Sequence, residues 1–376
     1  MSLVVLTNIP TPYRTAFFDA LAEATACAGK RFHVLYCAKT EPGRYWPYEP
    51  AKMKHAHTVL RGFHPSLTGI HAHLNPGVLA ELNLLKPDTL LLAGSWNTPT
   101  MLIAGLNIYS PAPRRFFWSE GHADAALHKS GLVAWLRRRV YRTFDGFAVP
   151  NAKSAEWAIA QAGGPRQLVT LPNAIAAKDF ARPSATARQE ARRQLGLAGA
   201  GRVLLQVGLL DSAKGAPELA EAFLRIRSTM AVGTVLLFVG SGPAESELKD
   251  LASKSEGSVR LLGQLAPERV QAALWAADVF ILNTRRDANP LSAIEASAAG
   301  LPIVMSAAAG NVGEIVEAPD AGFVIRNPAD PTETLRAVLA ASDEQLAAMG
   351  MRAADNAQRF DAPAVARSLI KQLYPR

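Results

Sequence analysis

Cysteine is almost missing from this chain: its 376 residues contain two, Cys27 and Cys37. Two thiols cannot build a disulfide framework or a four-cysteine zinc site, and such sparing use fits a reducing compartment. Long apolar runs are missing too. TLLLAG (89–94) and VLLFVG (235–240) have the length of a buried strand, far short of the roughly 20 residues that a membrane span needs. The start, MSLVVLTNIPTPYR, has neither the basic opening nor the small-residue cleavage site of a secretory signal. With 49% hydrophobic and 19% charged residues, the composition is globular and excludes a mostly disordered or fibrous protein. The length suits two domains of about 150–200 residues each. The expectation is a soluble, cytoplasmic, two-domain protein.

Acidic residues are scarce in one half only. Up to Pro172 there are 18 Lys and Arg against 10 Asp and Glu, whereas the remainder is balanced at 22 against 22. The first half therefore carries the whole net charge of +8, and it also holds all eight histidines. Such asymmetry points to an anionic partner for that half. Its clearest local source is residues 131–144, GLVAWLRRRVYRTF. As a helix this segment mixes Leu132, Trp135, Leu136 and Val140 with Arg137, Arg138, Arg139 and Arg142. Two readings stay open: it lies on an anionic membrane surface, or it packs an apolar face inward and solvates its arginines. Nucleic acid is not expected as a partner, since neither a recognised motif nor an aromatic stacking pattern is present.

Short apolar strands alternate with helical stretches twice over. Expected strands are 3–7, 32–37, 88–93, 115–118 and 146–149. The segment 171–184, LPNAIAAKDFARPS, interrupts the series. It then restarts with strands at 203–207, 235–239, 259–262, 279–282 and 302–305. This is the pattern of two doubly wound parallel sheets, an α/β architecture whose ligands bind in loops after the strands. The domains are read as 1–175, joined by a C-terminal helix within 361–376, and 176–360.

Four loops of the second half carry the chemistry. VGLLDSAKG (207–215) ends a strand on Gly208 and supplies Lys214, a glycine turn and a point charge that suit a phosphate. VGSGPA (239–244) is a second glycine turn, Gly240-x-Gly242, without the third glycine of a dinucleotide fingerprint. In DANPLSAIEASAAG (287–300), Asn289 reads as a helix N-cap and Pro290 as the first helical residue. Asp287 then stands just before the helix and Glu295 about one and a half turns inside it. Two carboxylates so spaced can hold separate hydroxyl pairs of a polyhydroxy ligand, with a diphosphate between them. Alternatively, Asp287 caps the helix and Glu295 is solvated. SAAAGNVGE (306–314) follows a strand with small residues that let a sugar or base approach.

In order and spacing these loops, with VRLLGQL, AADVFILNTRRDANPLSAIEASAAGLPIV, GNVGEIV and AGFVIRNPADP, resemble the C-terminal half of glycosyltransferase family 4. That family consists of retaining enzymes of the GT-B fold, two Rossmann-like domains facing across a cleft, which use nucleotide-sugar donors. TNIPTPYRTAFFDAL, LAGSWNTPT and LPNAI resemble a bacterial subgroup of it. The resemblance implies that Glu295 holds the ribose hydroxyls, Asp287 hydroxyls of the transferred sugar, and Lys214 the diphosphate. Gly208, Gly240, Arg286, Asn289, Pro290 and Leu291 would line the donor, and the loop Gly263–Leu265, with Gln264, would meet the base. Pro290 has no N–H, so Asn289 and Leu291 would supply the donating amides. One position departs from the family: Leu209 stands where an arginine usually follows the strand-end glycine. Arg285 or Arg286 is placed to substitute.

In the first half, the resemblance puts a histidine or acidic side chain near the donor sugar, after the strand RRFFW. Glu120 and His122 are both candidates. Arg14 either binds an acceptor phosphate or bonds a carboxylate of its own domain. Trp96 and Asn97 shape the acceptor pocket, unless Trp96 is core. The implied function is transfer of a sugar from a nucleotide-sugar to a lipid-linked or phosphorylated acceptor in cell-surface polysaccharide or glycoconjugate synthesis, with peripheral attachment to the inner membrane face. No metal is expected, although His55, His57, His64, His71 and His73 fall close together; their spacing fits no zinc motif. The rival readings are a degenerate sugar-nucleotide binder, a GT-B epimerase, and a peripheral membrane scaffold.

Overall fold

The computed structural model describes residues 2–42, 48–67, 70–105, 113–124, 126 and 128–375. By internal packing the chain forms two units, Met1–Ile175 with Asp361–Arg376, and Ala176–Phe360.

The first unit is built on a seven-stranded parallel sheet. Its strands are β1 (Ser2–Thr7), β2 (Arg31–Tyr36), β3 (His57–Val59), β6 (Thr89–Ala93), β7 (Arg114–Trp118), β8 (Gly146–Val149) and β9 (Gln167–Thr170). A separate antiparallel pair, β4 (Ser66–Leu67) and β5 (Ile70–His71), lies between them in sequence. The order across the large sheet is β3-β2-β1-β6-β7-β8-β9. Strands such as SLVVLT and TLLLA are buried along their whole length, as continuous apolar runs must be when helices cover both faces. On one face Phe17, Phe18 and Leu21, from helix Pro12–Cys27, pack with Val365, Leu369 and Leu373 of the C-terminal helix Ala362–Leu373. On the other, Leu92, Met101, Phe117, Tyr141, Phe144 and Phe147 form the core.

The second unit carries a six-stranded parallel sheet. It comprises β10 (Val203–Val207), β11 (Val235–Val239), β12 (Val259–Leu261), β13 (Val279–Leu282), β14 (Ile303–Ser306) and β15 (Gly322–Ile325), in the order β12-β11-β10-β13-β14-β15. Its core includes Leu204, Phe223, Phe238, Ile281 and Leu335. The expected strands are all present with ends shifted by a residue or so, whereas β3, β4, β5, β9 and β15 were not expected from sequence. Helix Leu291–Ala298 begins one residue later than expected, with Pro290 rather than Asn289 at the N-cap. Pro290 fits that place because its fixed φ of −62° is paired with an extended ψ of 114°, so the helical turn starts only at Leu291. Among the described residues, no helix is long and apolar enough to cross a membrane.

Candidate functional site

Strands β10 and β13 are neighbours in the second sheet, yet the chain leaves them toward opposite edges. Their carboxyl ends therefore part and leave a crevice, the place where ligands of such sheets bind. The two loops that border it are stitched together. Gly215 takes φ +58°, and a Cβ there would stand 2.2 Å from the Asn283 carbonyl oxygen, so only glycine lets the β10 loop come this close. The Thr284 hydroxyl and the Arg285 amide both donate to the Ala213 carbonyl, at 2.9 Å and 2.7 Å. Within this frame the Lys214 ammonium forms an ion pair with the Asp287 carboxylate, both largely sheltered from solvent. Lys214 and Asp287, 73 residues apart, thus meet at the switch point.

The neighbouring strand ends extend this edge. The Gly208 amide donates to Val239 at 3.0 Å, and the Gly240 amide to Gly263 at 2.8 Å. A Cβ on Gly240 would lie 1.9 Å from the Gly208 carbonyl oxygen, which ties the two glycine turns into one ridge. Gln264 and Leu265 follow β12 at the edge of the sheet, away from the switch point, with Gln264 exposed. Asp287 also accepts from the Asn289 amide at 3.2 Å, holding the turn that leads to Pro290 and Leu291. Asp287 does not cap the helix.

Glu295 lies on helix Leu291–Ala298 and is half-buried rather than freely solvated. Burial pushes its carboxyl up to about 7. Among the described residues it has no ion pair to offset that cost. Arg285 is exposed and paired with Glu218, whereas Arg286 is exposed and makes no ion pair among the described residues. Leu209 is 54% exposed, an apolar side chain standing in solvent directly after Gly208. One polar residue of the fourth loop was not singled out by sequence. Asn311 is 2% exposed, and neither side-chain atom has a hydrogen-bond partner among the described residues. Its setting among small residues was the only signal it offered.

In the first unit, Arg14, Trp96, Asn97, Glu120 and His122 all line one cavity of about 460 Å³. It opens beside the carboxyl ends of β1, β6 and β7, where the order again reverses. Arg14 is heavily committed. Its guanidinium donates to the Thr7 hydroxyl at 3.0 Å, the Ala93 carbonyl at 2.8 Å and Glu120 at 3.3 Å, and lies 4.6 Å over the Trp118 ring. Of the two roles open to it, the structure holds Arg14 in the bond to a carboxylate of its own unit. Trp96 is half-buried and packs on the core beneath the cavity. His122 is buried, its Nδ1 standing 3.8 Å from Asp124.

The basic helix spans Gly131–Tyr141 and divides its apolar residues between two faces. Ala134 and Tyr141 are buried and Val140 packs on the core, but the expected inward turn of Leu132, Trp135 and Leu136 does not occur. Leu132 is 70% and Trp135 53% exposed, with Leu136, Arg138 and Arg139 also outside, whereas Arg137 is buried at 7%. The histidines divide into unrelated pairs. His55 bonds Asp19 at 2.6 Å and Tyr36 at 2.9 Å. His73 bonds Glu41 at 2.9 Å and His64 at 3.1 Å. Among the described residues no group of three His, Cys, Asp or Glu is arranged to hold a metal ion.

Residues 187–360, nearly the whole second unit, match the family model described as glycosyl transferases group 1. A D-inositol 3-phosphate glycosyltransferase of Corynebacterium kroppenstedtii is 29% identical over 54% of this chain and 46% of its own length. Another of that name from Geodermatophilus obscurus is 33% identical over 47% of this chain and 41% of its own. The chain therefore spans less than half the length of either relative. Among solved structures, Anabaena Alr3699/HepE in complex with UDP superposes with a TM-score of 0.75 at 18% identity, over 99% of both chains. The architecture is the GT-B fold.

Proposed function

We propose that this protein is a nucleotide-sugar-dependent glycosyltransferase of the retaining type, holding its donor in the second unit and its acceptor in the first. The observation that carries this reading is the meeting of Lys214 and Asp287 at the switch point of the second sheet. A cation there neutralises a diphosphate, and the carboxylate beside it accepts hydrogen bonds from sugar hydroxyls. Glu295 accepts from the ribose hydroxyls, and the first-turn amides of helix Leu291–Ala298 face the phosphates. The family match over residues 187–360 supports the same assignment.

The chemistry follows from this placement. As the bond from anomeric carbon to diphosphate oxygen breaks, negative charge grows on the diphosphate, and Lys214 and the helix terminus stabilise it. The acceptor hydroxyl attacks from the face that the diphosphate is leaving, and the departing oxygen takes the hydroxyl proton. Configuration is retained without a carboxylate nucleophile. Glu120 or His122, in the first unit, stands near the transferred sugar, and Trp96 and Asn97 shape the acceptor pocket. That unit's exposed Leu132, Trp135 and Leu136, flanked by Arg138 and Arg139, attach the enzyme to an anionic membrane, where a lipid-linked acceptor in cell-surface glycoconjugate synthesis would be met.

Thermal-shift screening against UDP-, GDP-, ADP- and TDP-sugars tests the donor. UDP is the first choice, because the Anabaena neighbour was solved with it. At a hundredfold excess over Kd a ligand confined to the native state adds about 2.7 kcal/mol. One nucleotide should stabilise the wild type and lose most of that effect with Glu295→Ala; no stabilisation by any of the four overturns the assignment. Leu209 favours a second reading, a binder without transfer, which would give the shift but no nucleotide release on adding acceptors.

A further inference from the structure

We propose that Arg137 is an anion-recognition residue of the first unit's cavity, and that the molecule bound there carries an oxyanion, a phosphate or a carboxylate. The inference deepens the reading that this unit takes the acceptor, and rests on it.

A guanidinium is costly to bury unless a negative group faces it. Arg137 is 7% exposed, and burial lowers its pKa, the sign of a cation held away from water. Of its five N–H donors, Nε bonds the Gln161 side-chain oxygen at 3.0 Å and Nη2 the His128 carbonyl at 2.8 Å. Both acceptors are neutral. The Trp157 ring, 4.8 Å away, offers the cation a π face but no acceptor for the remaining N–H groups.

The remaining charges of the cavity are spoken for. Glu120 is paired with Arg14, and Glu41 with His73. Arg137 has no carboxylate among the described residues. A neutral donor such as glutamine would serve to tie Gln161 to the His128 carbonyl, so a structural tie does not explain a full positive charge here. An oxyanion does: Arg137 lines the cavity, and a planar fork binds two oxygens of a phosphate or carboxylate at once. About 460 Å³ also leaves room for a sugar or polyol beside the anion.

The test is calorimetric titration of the full chain with sodium phosphate and, separately, sodium acetate. It is run in the Lys214→Gln background, which removes the second unit's own phosphate-binding cation. At least one anion should bind, and which of the two binds more tightly identifies the group. Adding Arg137→Gln should weaken that binding tenfold or more, and Arg137→Lys, which keeps charge without the fork, by less. Arg137→Gln made alone should leave UDP affinity within twofold, so failure here is separable from failure of the donor assignment. Should Arg137→Gln not fold, phenylglyoxal labelling of the Lys214→Gln chain replaces it, with phosphate slowing modification of Arg137 at least fivefold. Binding of neither anion, equal binding after Arg137→Gln, or labelling of Arg137 that phosphate leaves unchanged overturns the proposal.

Discussion

At the scale of single residues, the exposed leucine at 209 sets the first expectation. A side chain in solvent on a strand-end loop is cheap to change, so Leu209→Arg should alter stability by no more than about 0.5 kcal/mol. A guanidinium in that place can grip the diphosphate, and the rate of nucleotide release should rise tenfold or more. Arg286 makes no ion pair among the described residues and is the side chain placed to compensate, since Arg285 is held by Glu218. Arg286→Ala should therefore lower the rate ten- to a hundredfold and Arg285→Ala far less; equal losses would show that neither replaces the missing arginine. Glu295 gives a pH-dependent outcome. Its carboxyl rises from 4.5 to about 7 on folding, so the folded chain holds that proton more tightly than the unfolded one. The associated stability is complete below pH 4.5 and is lost as pH climbs to about 7, a cost of about 3 kcal/mol once ionised. Glu295→Gln should thus raise the melting temperature of the ligand-free protein by several degrees at pH 8, with little gain at pH 5. In the role proposed for Glu295, ribose hydroxyls would donate to the ionised form, so wild-type nucleotide affinity should fall as pH drops below 7. In Glu295→Gln it should be weak at every pH.

At the scale of elements, the helix Gly131–Tyr141 separates what sequence reveals from what it hides. The strand alternation and the glycine turns were legible, because each depends on local chain direction, whereas the ion pair of Lys214 with Asp287 was not among the expectations. Which way the basic helix faces was not legible. Its arginine run suggests a solvated stripe, but Arg137 turns inward toward Gln161, the His128 carbonyl and Trp157, partners set by tertiary structure. The histidine cluster divides for the same reason, His55 being held by Asp19 and His73 by Glu41, partners that come from elsewhere in the chain. Burial of Glu295 was hidden as well, since its helix shows no partner for a carboxylate in sequence. The outward face now defines the membrane test. Trp135→Ser with Leu136→Ser removes exposed apolar area while sparing Arg137. The double variant should keep its melting temperature within about 2 °C and lose most of its flotation with vesicles containing phosphatidylglycerol. Wild-type protein should not float with phosphatidylcholine alone. Reversing all three arginines would also strike the buried one and confuse attachment with folding.

For the whole molecule, the two units have separate cores but are not two consecutive pieces of chain. The first sheet is completed by the last helix: Val365, Leu369 and Leu373 fill the space against Phe17, Phe18 and Leu21. Polar ties accompany this packing. Arg114 donates to the Leu373 carbonyl at 2.7 Å, and the Thr170 amide to Gln372 at 2.7 Å. Removing residues 361–376 would expose the face of the first sheet around Phe17 and Phe18 and leave the core of Phe223, Phe238 and Ile281 untouched. Losing several buried leucine-sized side chains at about 2–5 kcal/mol each exceeds the stability of an ordinary domain. The shortened chain should therefore unfold in its first unit while residues 176–360 stay folded. Calorimetry should show one early or missing transition and one close to its original temperature, the latter still raised by the donor nucleotide. A single cooperative loss of both, with no residual nucleotide binding, would mean that the second unit depends on the first for its stability.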